Sequence, residues 1–343
     1  MMNTTVLSIP YMYSTVNKNT VKFASVISNR TNASSFNMSK ITILDGGMGH
    51  LLRRHGVEIK GKIGSMQRFL GVALANEESP DLVRGCHTEY IDAGAHVITS
   101  NSYSCVPAAL ELAGNGGWSN VQEAIRHAGM RAKEAVDASD MPSRPLVAGC
   151  VPPLRESYRY DRVESDEELR TAYGKIVAEI DKYSDLLLCE TMSSAREARF
   201  AAEAANATGK PVWVSWTLHE DASGKLRSSE SIENAVLALK DVDKLEACLL
   251  NCCSHESICE AIPQLRGVLL DVGRGDVRIG AYANGFETVH TQGESGETEY
   301  RDLSVETYVA QAKAWTDLGA SIVGGCCGVF PEHIEGISRG IGR

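Results

Sequence analysis

The sequence predicts a single-domain (β/α)8 (TIM) barrel, and three observations predict it. Eight short apolar, β-branched runs recur beyond residue 40; a polar or glycine-rich turn and an amphipathic stretch follow each in turn; and no Gly-x-Gly-x-x-Gly turn marks a dinucleotide fold. Near-continuous apolar runs alternating with helices imply a parallel sheet covered on its outer face, and eight such units close a barrel. An open doubly wound sheet is the second architecture compatible with the alternation.

The candidate strands are Ile41–Gly47, His96–Tyr103, Leu146–Pro153, Leu186–Met192, Pro211–Leu218, Ala247–Cys253, Arg278–Asn284 and Ser321–Cys327. The helices between them carry their own signals. Before the second strand, Ser79-Pro80-Asp81 places a cap, an N1 proline and a first-turn acid ahead of Leu82, Val83, Cys86, Tyr90 and Ile91, and Gly94 ends the segment. Before the third, Val121, Ile125, Ala128, Ala132 and Val136 share one helical face. Ser165 with Glu168, then Ser194 with Glu197, fit the capping box. Before the eighth strand Ser304 opens a helix that Gly319 closes.

No proline-rich or low-complexity linker interrupts residues 41–343, so the sequence reads as one barrel over that span. Residues 1–40 differ: Met1 to Leu44 holds no Asp or Glu, and Lys18, Lys22, Arg30 and Lys40 stand among many Ser, Thr and Asn. This composition fits either an unstructured leader or an organelle transit peptide, and Met38 is a second usable start. The expected location is therefore cytoplasmic, or mitochondrial or plastid where residues 1–40 act as an address.

A net charge of −10 without a Lys/Arg cluster argues against nucleic acid as a partner, and no apolar run approaches the length of a membrane span. Small-molecule substrates remain the expected partners. A homodimer is as compatible with the composition as a monomer. The ten cysteines are scattered through a chain large enough to need no disulfide staples, which reads as free thiols, some buried and some ligating metal.

In a (β/α)8 barrel the chemistry sits at the carboxyl ends of the strands. Those ends hold Asp45, Asn101, Cys150, Glu190, His219, Asn251-Cys252-Cys253, Asn284 and Cys326-Cys327. The sharpest local feature is Gly324-Gly325-Cys326-Cys327-Gly328. Vicinal cysteines seldom bond to each other, because the geometry is strained, whereas flanking glycines let the backbone bend until both sulfurs face one point. A shared metal is the natural reading, with a third thiolate from the end of strand six. Spacing alone leaves Cys252 and Cys253 open there, since strand alternation sends one inward and one away, and His219 and His255 are rival ligands. The remaining cysteines read as small apolar core residues.

Three soft ligands favour zinc and leave one tetrahedral position open, as in catalytic sites. Three thiolates make the metal a poor Lewis acid for hydrolysis, yet a thiol that joins them loses its proton and stays electron-rich. The chemistry implied is attack by sulfur on an electrophilic carbon.

These residues resemble the homocysteine S-methyltransferase family. The likeness runs from Ile41-Thr42-Ile43-Leu44-Asp45-Gly46-Gly47-Met48-Gly49 through Gly94–Tyr103 and Glu190-Thr191-Met192 to Leu250-Asn251-Cys252 and Gly324–Gly328, nearly all of the chain after residue 40. The resemblance implies a zinc-containing barrel that methylates L-homocysteine to methionine, with Cys252, Cys326 and Cys327 as ligands. It also implies that Asp45 and Glu190 hold the substrate ammonium, while backbone amides near Gly46 and Gly47 take its carboxylate. Asn101 and Asn284 are expected either to orient substrate or ligands or to make hydrogen bonds at the barrel rim. Two segments depart from the family pattern, both bordering the expected donor pocket. Gly64–Leu70 stands where many members that use S-methylmethionine carry a tryptophan, and Cys150-Val151-Pro152-Pro153 replaces a glycine-proline turn. No room remains for a cobalamin or folate domain, so the expected donor is a small onium compound, S-methylmethionine before betaine, with Trp216 or Tyr103 facing its cation. The alternatives are a zinc- or thiol-binding barrel without catalysis acting as sensor or carrier, methylation of another thiol or selenol, and zinc-dependent hydrolysis, which the all-thiolate ligand set opposes.

Overall fold

The computed structural model describes residues 41–62, 65–290 and 298–341. The strands are β1 (Thr42–Ile43), β2 (Val97–Thr99), β3 (Leu146–Val151), β4 (Leu186–Met192), β5 (Val212–Trp216), β6 (Leu245–Asn251), β7 (Arg278–Tyr282), β8 (Phe286–His290), β9 (Thr298–Asp302) and β10 (Ile322–Val323). Eight of them form one parallel sheet in the order β1-β10-β7-β6-β5-β4-β3-β2. Its two ends meet where Leu44 bridges Val97 in parallel, and where the His96 N–H donates to Ile43 O at 2.8 Å and the Asp45 N–H to Val97 O at 3.1 Å. The barrel read from the sequence is the fold found. The leader at residues 1–40 lies outside the described residues. No helix among those described is long and apolar enough to cross a membrane.

The helices are α1 (Met48–Arg54), α2 (Met66–Glu78), α3 (Pro80–Asp92), α4 (Pro107–Leu110), α5 (Trp118–Asp137), α6 (Asp166–Ile180), α7 (Ala195–Asn206), α8 (Ile232–Leu237), α9 (His255–Asp271), α10 (Val305–Asp317) and α11 (Pro331–Ile341). Strand alternation divides the apolar residues between two cores. Leu44, Val97, Ala148, Leu186, Leu188, Trp213, Ala247, Leu249 and Ile322 fill the barrel interior. Their neighbours Ile43, Ile98, Val147, Leu187, Val214, Cys248, Leu250 and Val323 face outward, toward helix residues such as Val121, Ile125, Ala128 and Ala132 of α5.

The structure departs from the sequence reading in three places. The strands are shorter than the apolar runs, most of all β1, β2 and β10, because the chain leaves the ladder early to form the loops of the site. β8 and β9 form an antiparallel hairpin, outside the barrel sheet, that the sequence reading did not foresee. The third departure is the start of α7. Ser165 and Glu168 make a complete capping box at α6, but at α7 only half of one forms. There the Ser194 hydroxyl accepts from the Glu197 N–H, while the Glu197 carboxylate turns inward and accepts from the Leu154 N–H at 3.2 Å and the Tyr173 hydroxyl at 2.9 Å.

Burial pushes the Glu197 carboxyl up to about 7, against those two hydrogen bonds. The fold therefore keeps a proton there that the unfolded chain gives up near its ordinary value. Stability is full below that value and falls as pH rises to about 7. Glu197→Gln cannot titrate and keeps an oxygen for both donors. Relative to the wild type it should gain about 2–3 kcal/mol between pH 4.5 and pH 8, by urea denaturation at each pH. A difference that stays flat with pH would refute this account of Glu197.

Candidate active site

At the carboxyl ends of the strands, the Sγ atoms of Cys252, Cys326 and Cys327 lie within 4.8 Å of one another. They come from two strand tips, β6 and β10. The alternation that turns Leu249 into the barrel and Leu250 out of it would send Cys252 outward. A left-handed backbone at Cys252, φ 53°, breaks the alternation, so its sulfur joins the cleft while Cys253 packs fully buried in the outer core. The histidines that rivalled these cysteines stay apart: His219 pairs with the Ser229 hydroxyl at 3.2 Å, and His255 packs on Cys259 and Trp315.

The loop after β10 is held by backbone bonds. The Gly325 N–H donates to Asp45 O at 2.9 Å, the Cys326 N–H to Ala283 O at 3.0 Å and the Gly285 N–H to Cys327 O at 2.7 Å. The turn after β1 presses against it so closely that only glycine fits. A Cβ on Gly47 would stand 2.6 Å from Cys326 O, and one on Gly46 would stand 2.5 Å from Val329 O. The sulfurs are held from the other side too. The Tyr158 hydroxyl lies 2.9 Å from Cys252 Sγ, and Asn251 Nδ2 lies 3.9 Å from Cys326 Sγ and 2.8 Å from Thr191 Oγ1. Tyr158 and Thr191 both adopt left-handed backbone, φ 72° and 58°, a strain that clusters around the cysteines.

Facing the sulfurs is a cleft lined by Asp45, Gly46, Gly47, Asn101, Glu190 and the three cysteines. Asp45 accepts from the Thr99 N–H at 2.7 Å and the Thr99 hydroxyl at 3.0 Å. Glu190 accepts from the Cys150 thiol and the Tyr282 hydroxyl, each at 3.2 Å. Burial pushes Asp45 up to about 8, with the charge of Glu190 adding to it against the Thr99 bonds, and burial pushes Glu190 up to about 7. Two carboxyls on one cleft, Asp45 buried and Glu190 part-buried, and raised together are an unfinished electrostatic arrangement that a cationic ligand would complete.

Asn101 also lines the cleft, but its Nδ2 donates to Val72 O at 3.2 Å and Asn76 Oδ1 at 3.0 Å, so the side chain ties β2 to α2. The Gly47 N–H donates to Val329 O at 2.9 Å, which takes that amide out of ligand binding. Of the two aromatic candidates, Tyr103 is on the cleft wall, whereas Trp216 faces the outer core, as its phase on β5 requires. Sequence reasoning set the Gly64–Leu70 segment beside the donor pocket without singling out Arg68 or Phe69, and missed His50, Ser157 and Tyr158; all five line the cleft. Phe69 meets the Tyr103 ring edge-on at 5.5 Å, and the Tyr103 hydroxyl pairs with the Ser157 hydroxyl at 2.7 Å. Burial, with Arg68 beside it, lowers His50 to about 4 and keeps it neutral. No spacing rule points to these residues, because α1, α2 and the loop after β3 carry them in from outside the strands.

The donor set suits a soft divalent cation. Hydrogen bonds from Cys252 and Cys326 hold the Cys327 thiol well below its ordinary range, while the same contacts raise Cys326. Three sulfurs thus share one site in which the first ionisation is easy and the next are costly without a positive charge among them.

The sequence profile of the homocysteine S-methyltransferase family matches residues 42–341. The chain is 26% identical over 327 residues to homocysteine S-methyltransferase 4 of Zea mays, covering 87% of this chain and 89% of that one. It is 24% identical to the selenocysteine Se-methyltransferase of Brassica oleracea var. italica, over 87% of this chain and 88% of the other. In fold it resembles the crystal structure of the metallated homocysteine methyltransferase MmuM from Escherichia coli, with a TM-score of 0.71 and 24% identity over 92% of this chain and 98% of that chain. With the match spanning almost all the described barrel, the chain belongs to the homocysteine S-methyltransferase family.

Proposed function

We propose that the protein transfers a methyl group from a small sulfonium donor, S-methylmethionine, to the thiol of L-homocysteine, with a zinc ion held by Cys252, Cys326 and Cys327. The observation that carries this reading is the meeting of three cysteine sulfurs opposite two carboxyls, Asp45 buried and Glu190 part-buried, in one cleft. A thiol amino acid presents the complementary groups, a sulfur at one end and an ammonium at the other.

When bound, zinc supplies a place where a thiol of ordinary pKa, about 8.5, is deprotonated at neutral pH yet stays nucleophilic. The chain's own residues do the rest. Asp45 and Glu190 pair with the homocysteine ammonium, and the Gly46 amide is left for its carboxylate. The Tyr158 hydroxyl and Asn251 Nδ2 keep Cys252 and Cys326 in place. Phe69 and Tyr103 offer aromatic surface to the onium methyls. The homocysteine sulfur attacks the methyl carbon, and the donor's C–S bond breaks with its electron pair returning to the donor sulfur. Two neutral thioethers result, both methionine, and the thiol proton passes to solvent.

The test is methionine formation by zinc-loaded protein from homocysteine and each of S-methylmethionine, betaine and trimethylsulfonium. Turnover with S-methylmethionine, and about one zinc per chain in the purified protein, is the expected result. Silence with every onium donor would transfer weight to a thiol-binding carrier.

A further inference from the structure

Arg68, in the first turn of α2, lines the same cleft with a side chain only 6% exposed. Its backbone is fixed by the cap that the Ser65 hydroxyl provides at 3.4 Å. Its Nη2 is shut off from solvent and without a hydrogen-bond partner, and the residue enters no ion pair among the described residues. Half-buried Arg278 shows the ordinary alternative: its Nη2 donates to Thr42 Oγ1 and Ser321 O, each at 2.8 Å. A guanidinium buried with an unsatisfied nitrogen costs stability unless an anion arrives to meet it. A planar fork of N–H donors pairs bidentately with a carboxylate or a phosphate, and of these the substrates proposed above carry only the carboxylate.

The neighbours of Arg68 say which carboxylate. Asp45, Glu190 and the glycine turn, the groups assigned to homocysteine, line the cleft as well, whereas Arg68 is followed directly by Phe69, whose ring meets Tyr103. An aromatic surface beside a guanidinium is a site for a molecule that carries an onium group and a carboxylate together. We propose that Arg68 binds a carboxylate on the methyl donor, so that the enzyme selects onium donors that carry a free carboxylate. This rests on the methyl-transfer reading above. The competing use of the same charge is as a counter-ion to the cysteine cluster, since Cys327 is the anionic group it senses most strongly.

Steady-state kinetics with homocysteine and either S-methylmethionine or its methyl ester separate these roles, because the ester keeps the sulfonium and the ammonium and loses only the negative charge. The wild type should prefer the acid by about 100-fold in kcat/KM, as a charge-assisted bidentate pair would give. Arg68→Gln should cut that preference to within about threefold, through the KM of the acid alone, and Arg68→Lys should restore part of it. Zinc content and the KM for homocysteine should not change in either variant. Equal use of acid and ester by the wild type would overturn the proposal without any variant needing to fold. So would loss of zinc in Arg68→Gln, or a rise in the KM for homocysteine with both donors, which would assign the charge to the cysteines or to the acceptor. If the zinc-loaded wild type makes no methionine from any onium donor, the methyl-transfer reading itself fails.

Discussion

Cys326→Ser should leave the barrel folded while removing both the metal and methyl transfer. The substitution exchanges a soft thiolate for a hydroxyl that stays protonated at neutral pH. Two thiolates then remain, a set that holds zinc far more weakly than three. The loop does not depend on the sulfur for its shape. The Cys326 N–H bonds to Ala283 O at 3.0 Å, its carbonyl accepts from the Val329 N–H at 3.1 Å, and serine keeps both. Bound zinc should fall from about one per chain to a small fraction, and methionine formation by at least about 1,000-fold, because the acceptor thiol then reacts from its protonated form. Metal analysis, circular dichroism and turnover on the same preparation decide the matter. A variant that keeps its zinc and its turnover would discard the three-sulfur site. One that unfolds would show that the cysteine carries structure as well.

The barrel was legible in the sequence because its signal is repeated: each of eight apolar runs met its helix, and the phase of residues such as Leu187 and Leu188 follows from alternation alone. Cys326 and Cys327 were legible because vicinal cysteines between glycines have few other uses. Cys252 was not legible from spacing. Alternation points the wrong way there, and the left-handed turn that reverses it belongs to a residue type with no preference for such backbone. The resemblance to the family pointed to Cys252 over Cys253 where the strand pattern could not, and it is the Cys252 sulfur that lies within 4.8 Å of the other two. Trp216 failed for the opposite reason: its alternation held, and carried it into the outer core. The resemblance set the segment of Arg68 beside the donor pocket but did not single out the residue, and Tyr158 was illegible, because a helix and a loop outside the strand pattern deliver them and a lone Arg or Tyr carries no local mark of the cleft it enters.

Glu190→Gln should raise the KM for homocysteine about 30- to 100-fold while leaving zinc content unchanged and kcat within a few-fold, the signature of a lost contact shared by ground and transition states. Glutamine has the same shape. Its amide oxygen can accept from the Tyr282 hydroxyl as Glu190 does now at 3.2 Å, and its NH2 can face Cys150 Sγ, so the wall of the cleft need not move. What disappears is one negative charge opposite the substrate ammonium. Asp45→Asn should act in the same direction with both Thr99 contacts kept, because the amide oxygen can accept from the Thr99 N–H while the amide nitrogen donates to the Thr99 hydroxyl. Burial that raises both carboxyls without a ligand makes them stable partners only when a cation arrives. The double variant should therefore lose little beyond the larger single loss if the two acids grip one ammonium, and close to the product of both losses if they act on separate groups. Glu190→Gln with an unchanged KM for homocysteine would remove the ammonium from this pair and leave the carboxyls as supports for the cleft.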